Sequence, residues 1–307
     1  MIRRSFIISI LVFCLATQNH AQSLTIGTYN LRYDNKGDTG NLWVNRVPVI
    51  NALVQFHDFD IFGTQEGLKN QLEDLKTGLP GYTYYGIGRD DGKDKGEHSS
   101  IFYKTDKFRV LNKGDFWLSE TPDKPGPGWD AKLNRICSWI QFEENKTKRK
   151  FYFFSVHYDH QGVKARQESS KLILTKIKEI AGNERVIFVG DLNGGRSSEW
   201  YQTLAAADWL KDTYTQASIT YSNSGSFNAF GKQDNSNEVI DHIFTTSGFT
   251  IEKWGVLTDT YHGKYPSDHF PILVKLTLGV VSDRSKAILN AGNLSSSGIQ
   301  AQRGVLP

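Results

Sequence analysis

This sequence predicts an α/β fold in one domain, with two β-sheets packed face to face and helices on the outside. Three observations carry the prediction. Runs of β-branched and aromatic residues outnumber the amphipathic helical stretches. The helical stretches fall between strands in each half of the chain, which places helices outside paired sheets. No short internal repeat and no linker interrupts the pattern.

The elements follow in order. LTIGTYNLRYD alternates apolar and polar residues and reads as the first strand. Residues 46–56 carry Val47, Ile50, Leu53 and Val54 at helical spacing, with Pro48 expected near the helix start. FDIFGTQE reads as a buried strand ending in an acid, and LKNQLEDLKTGLPGY as a helix closed by Gly78 and Pro80. Five strand runs come next: YTYYGIGR, HSSIFYK, FRVLNKGDFWLS, RICSWIQF and KFYFFSVHYDH. The basic stretch NKTKRK between the last two reads as a hairpin turn. A second amphipathic helix is expected over 166–180, followed by the buried strand RVIFVGDLNG. VIDHIFTT, FTIEKWGVL and PILVKLTL complete the strands. Residues 279–307 are rich in Ser, Gly and Asn without an apolar period, and read as a flexible tail beyond a domain spanning 22–278.

Composition narrows the function. The net charge of +3 tolerates an anionic substrate but falls short of a dedicated nucleic-acid footprint. MIRR, the apolar run from Phe6 to Ala16 and the small Ala21 form the pattern of a signal peptide over residues 1–21, with a membrane anchor as the alternative. Export to the periplasm or exterior of a bacterium is therefore expected. After cleavage Cys137 is the only cysteine, so no intramolecular disulfide forms and a large core must supply stability. No later run is long enough to span a membrane, and a monomer is expected.

Chemistry concentrates at strand ends. Asn30, Glu66, His157 with Asp159, Asp191 with Asn193, Asp241, and Asp268 with His269 all stand there. A single such ending is ordinary turn chemistry. Six of them, on strands in two facing sheets, can converge on one cleft of carboxylates, amides and imidazoles. That donor set suits a hard divalent cation, Mg²⁺ or Mn²⁺, and a cation of this kind favours phosphoryl chemistry.

TYNLRYD, GTQE, VHYDH, VGDLNG, IDHIF and PSDHFP, in this order, resemble the endonuclease/exonuclease/phosphatase family from about Leu24 to Leu278, nearly the whole chain after the expected leader. The resemblance implies a deoxyribonuclease I-like four-layer α/β sandwich, two packed mixed β-sheets flanked by helices. It implies Glu66 as the principal metal carboxylate, with Asn30 and Asp268 beside the metal. Asp191 then activates water and Asn193 orients it or the phosphate. His157 contacts the scissile phosphate, and His157 and His269, the latter backed by Asp241, stabilise charge on the phosphoryl oxygens. Pro266 and Pro271 restrict the backbone around His269. Arg135 grips substrate or forms a surface ion pair. Asp159 steers His157 or lines the cleft. Tyr103 approaches the substrate or packs in the core.

The expected activity is hydrolysis of phosphoric esters, with the substrate open among a small molecule, a lipid headgroup and nucleic acid. A nuclease or a sphingomyelinase-like enzyme falls within this class. A non-catalytic ligand- or glycan-binding module on the same fold, and a hydrolase of carboxylic esters, are the readings outside it.

Overall fold

The computed structural model describes residues 23–232 and 237–279. The expected leader lies outside the described residues, as does the expected tail apart from Gly279. In chain order the elements are β1 (Ser23–Asn30), α1 (Trp43–Phe56), β2 (Ile61–Gln65), α2 (Lys69–Gly78), β3 (Tyr82–Tyr85), β4 (Ile101–Lys104), β5 (Phe108–Trp117), β6 (Ile136–Glu144) and β7 (Lys150–His157). They continue with α3 (Val163–Ala181), β8 (Val186–Asp191), α4 (Glu199–Ala205), β9 (Leu210–Asp212), α5 (Thr213–Gln216), β10 (Ile219–Tyr221), β11 (Asp241–Thr246), β12 (Phe249–Val256) and β13 (Ile272–Leu278).

Two mixed sheets result. One runs in the order β10, β12, β13, β1, β2, β4, β3, and the other β5, β6, β7, β8, β11, β9. Strand alternation explains how they pack, because successive side chains point to opposite faces. Leu24 and Ile26 of β1, Ile61 of β2 and Val274 of β13 meet Phe153, Ile187, Val189 and Ile243 of the other sheet in a core between the sheets. The outward residues of the first sheet, such as Tyr29 and Phe62, pack against Ile50, Leu53, Leu72 and Leu75 of α1 and α2. Those of the second, such as Phe188 and Phe244, pack against Ile173, Ile177 and Leu204 of α3 and α4. The layers are therefore helix, sheet, sheet, helix, the expected sandwich.

The sheets come close at Gly63. A Cβ there would lie 2.5 Å from Val189 Cγ2 and 2.7 Å from Ser155 Oγ, so the closeness of the facing sheet requires glycine in β2. NKTKRK forms the expected turn, with Glu144 accepting backbone N–H bonds from Lys146 and Thr147 on its carboxylate. α1 begins at Trp43, ahead of the expected start, so Pro48 sits in its second turn rather than near its first residue. The short α4, α5, β9 and β10 carry no clear apolar period in the sequence and were not expected.

Candidate active site

The alternation that fills the core also builds the site. On β8, Ile187 and Val189 point into the inter-sheet core, so Asp191 points the same way at the strand end. β7 repeats this with Phe151, Phe153 and then His157, and β1 with Leu24, Ile26 and then Asn30. β11 runs antiparallel to β8, pairing Asp241 with Asp191, and β7 runs parallel, pairing His157 with Asp191. Polar ends of core-facing rows thus meet where the two sheets part.

Their hydrogen bonds interlock. Asn30 Oδ1 accepts from the Arg32 N–H at 3.0 Å, which orients the amide. Its Nδ2 then donates to Glu66 Oε1 at 3.1 Å and Asp191 Oδ2 at 3.0 Å. Glu66 Oε2 accepts from the Tyr33 N–H at 3.1 Å. His269 Nδ1 lies 2.9 Å from Asp241 Oδ2, and its Nε2 lies 3.8 Å from Asp191 Oδ2. The Asn193 N–H donates to Asp191 Oδ1 at 2.8 Å. Glu66 and Asn193 both hold left-handed backbone angles, φ 62° and 47°, a strained state that is costlier for Glu than for Asn.

The two histidines differ in charge. Burial works against a charge on His269, but the carboxylates of Asp241 and Asp191 outweigh it and raise the ring to about 10. His157 is driven well below its ordinary range by burial and then by the guanidinium groups of Arg135 and Arg89. Asn193 Nδ2 donates to Tyr158 O at 3.0 Å, which fixes its amide, and it meets His157 Nε2 at 3.1 Å. His157 Nε2 is therefore an acceptor on a neutral ring. Of the two histidines expected to stabilise phosphoryl charge, His269 is the cationic one and His157 faces the cleft as a neutral ring. Asp191 is pushed up to about 7, first by burial and then by the charge of Asp241.

The donor chemistry fits a divalent cation. Glu66 and Asp268 both line the cleft and both offer carboxylate oxygens. Burial, and after it the charge of Glu66, raises Asp268 to about 6, against the pull of His269. Arg32 Nε stands 3.8 Å from Asp268 Oδ2 but is hydrogen-bonded to Asp38. Two like charges facing one space are what a hard cation relieves. Asp191, Asp241 and His269 also bring potential ligand atoms within 4.8 Å of one another, but an imidazolium at His269 has no lone pair to give an ion.

Residues 27–269 match the sequence profile described as the Endonuclease/Exonuclease/phosphatase family. The chain belongs to this family. A solved family protein from Bacteroides thetaiotaomicron is 48% identical, with a TM-score of 0.83, covering 85% of this chain and 99% of that one. A mannosyl-6-phosphatase from Bacteroides thetaiotaomicron is 49% identical, with a TM-score of 0.81, covering 83% and 99%. Zebrafish (D. rerio) TDP2 complexed with a single-stranded DNA product shares the fold at 20% identity and a TM-score of 0.68, covering 83% and 99%. The chain is accordingly a metal-dependent hydrolase of phosphoric esters.

In this family member the cleft measures about 520 Å³ and Arg135 lines it. Arg135 is buried, with Nε 3.2 Å from Asp159 Oδ1 and Nη2 2.9 Å from His160 Nδ1. Asp159 does not line the cleft and does not touch His157. Its other oxygen accepts from the N–H groups of Gln161 and Gly162, at 3.0 and 2.7 Å, so it serves as the anchor of Arg135. His160 is exposed yet lines the cleft. Tyr103 is removed from the expected substrate wall. β4 runs antiparallel to β2, which carries Tyr103 away from the cleft, and its ring packs 4.9 Å from that of Phe142.

Three supporting residues escaped the sequence reading. Arg46 is fully buried on α1 and donates to the carbonyl oxygens of Leu31, Arg32, Asn41 and Pro266, tying the end of β1 to the loop that carries Asp268 and His269. Ser267 Oγ adds a 2.6 Å bond to Asn30 O. Glu97 lines the cleft, pairs with Arg89 at 2.5 and 2.9 Å, and approaches His157 Nδ1 to 3.9 Å. Arg46 left a signal, a charge within the apolar face of Ile50 and Leu53, whereas Glu97 sits in a loop without periodicity.

Proposed function

We propose that this enzyme hydrolyses phosphate monoesters of small polar molecules, with sugar phosphates the leading class. The observation that carries this reading is the placement of Asp191, buried and raised to about 7, on the floor of a cleft sized for a small molecule. A carboxylate in that range is an effective base at neutral pH, where an ordinary Asp is weak. The mannosyl-6-phosphatase, similar over 99% of its length, supports a sugar phosphate as the substrate.

In this reading Asp191 removes a proton from water as its oxygen attacks phosphorus, and the bond from phosphorus to the departing oxygen breaks on the opposite side. Asn193 holds Asp191 through its N–H and His157 through its amide, so it orients the base rather than the water alone. His269 donates from Nε2 to the phosphoryl oxygens, kept cationic by Asp241. Arg135 faces the same charge from the cleft wall. Glu66 and Asp268 would hold Mg²⁺ or Mn²⁺, with Asn30 fixing Glu66, because His269 is already bonded to Asp241 as a donor. When bound, the cation supplies Lewis-acid neutralisation of phosphate charge.

A sphingomyelinase-like activity lacks support from the surface. Among the described residues, the exposed large apolar side chains are spread over α1, the segment before β6, α3 and β10. No helix among the described residues is long and apolar enough to cross a membrane. Export as a monomer remains part of the proposal on the N-terminal pattern, checked by sequencing the mature N-terminus and by sedimentation.

The test is a panel of mannose 6-phosphate, p-nitrophenyl phosphate, bis-p-nitrophenyl phosphate, single-stranded DNA and sphingomyelin vesicles with Mg²⁺ or Mn²⁺. The proposal predicts the highest kcat/KM on the sugar monoester. Preference for DNA, lipid or the diester would overturn it.

A further inference from the structure

We infer that His242 is a positioning residue for phosphoester hydrolysis, holding the turn that carries Asp191 and Asn193 from behind. β11 alternates, so Asp241 faces the cleft and His242 faces the other way, toward α4. There the ring is 2% exposed and lies 4.8 Å from the ring of Tyr201. Phe244, two residues on, fills the same layer with plain hydrocarbon. His242 instead places Nε2 3.0 Å from the carbonyl oxygen of Gly194. A carbonyl only accepts, so Nε2 carries the proton.

The other side of the ring is held without a second bond. Nδ1 stands 3.8 Å from Asp212 Oδ2, an ion-pair distance beyond hydrogen-bond reach, and has no hydrogen-bond partner. Asp212 is engaged elsewhere: Oδ2 accepts from Tyr201 Oη at 2.7 Å and Arg196 Nε at 3.3 Å, and Oδ1 from the Tyr214 N–H at 2.9 Å. The imidazole thus makes one hydrogen bond, and it is to the active-site turn.

The turn needs such a hold. Asn193 is left-handed, and its N–H and amide fix Asp191 and His157. Releasing the Gly194 carbonyl frees the following peptide to rotate and lets Asn193 relax toward ordinary angles, which displaces the Asp191 oxygens. A displacement of about 1 Å at a reacting group costs roughly 100-fold in rate. β11 therefore supports the site from both faces, His269 through Asp241 and the turn through His242.

The test compares His242→Phe, which keeps a ring without the donor, with His242→Gln, which keeps an N–H at similar reach. Both p-nitrophenyl phosphate and bis-p-nitrophenyl phosphate are assayed with saturating Mg²⁺ or Mn²⁺. The inference needs only phosphoester hydrolysis, so it stands or falls apart from the sugar-phosphate reading. His242→Phe is expected to lower kcat roughly 10- to 100-fold with KM nearly unchanged, and His242→Gln to recover most of the loss. Unchanged kcat in His242→Phe, or equal losses in both variants, would overturn the inference. Long-range proton–nitrogen NMR of the wild-type imidazole gives a reading independent of variant folding. It is expected to show Nε2 protonated, and a ring protonated at Nδ1 alone would also overturn the inference.

Discussion

His269 Nδ1 and Asp241 Oδ2 meet at 2.9 Å with both side chains almost fully buried, and this contact sets the charge of the cleft floor. Of the groups that favour the imidazolium, the Asp241 carboxylate acts most strongly. Asp241→Asn is expected to bring His269 from about 10 toward its ordinary 6.5. The alkaline limb of the kcat profile should move down with it, and kcat itself should fall roughly 100-fold. Steady-state rates across pH check this.

The same shift has a stability consequence. The folded value lies above the ordinary one, so the contribution is complete below pH 6.5 and lost as pH rises toward about 10. The stability gap between wild type and His269→Gln should be widest below pH 6.5 and narrow on the alkaline side, as measured by urea denaturation.

Much of this site is legible in the sequence, because strand alternation is a period that survives without contacts. Ile187 and Val189 announce where Asp191 must point, and Phe151 and Phe153 do the same for His157. What is not legible depends on partners distant in the chain. Nothing near Tyr103 says that antiparallel pairing carries it away from the cleft. The neutral state of His157 follows from its burial and from Arg135 and Arg89, which neighbour it only in space. Asp159 looks like a cleft acid until the geometry shows it bound to Arg135 and two backbone N–H groups.

Asp159 is expected to act through Arg135. Burial opposes its charge, yet the N–H groups of Gly162 and Gln161 and the Arg135 guanidinium hold it down at about 2. Its contribution is present above the ordinary 3.8 and lost as pH falls through about 2. Asp159→Asn leaves a buried guanidinium without its counter-charge, at a cost of about 3 kcal/mol. KM should rise more than kcat falls, which urea denaturation and kinetics together would show.

The metal assignment predicts that EDTA abolishes turnover and that Mg²⁺ or Mn²⁺ restores it. Glu66→Gln and Asp268→Asn should each raise the metal concentration for half-maximal rate by at least about tenfold, since losing even an outer partner of a metal ligand costs that much. Calorimetric titration of the stripped protein gives the same comparison without turnover.

The close approach of the sheets predicts a purely structural effect. Gly63→Ala places a methyl within 2.5 Å of Val189 Cγ2, and overpacking of this kind costs about 1–3 kcal/mol. A lowered midpoint in urea with unchanged slope checks it.

The central claim is that Asp191 takes the proton of the attacking water at the mouth of the two sheets. The most direct measurement is kcat of Asp191→Asn on mannose 6-phosphate at saturating metal. A fall of about 1,000-fold with the melting temperature preserved is predicted, whereas a well-folded variant within about tenfold of wild type would contradict it.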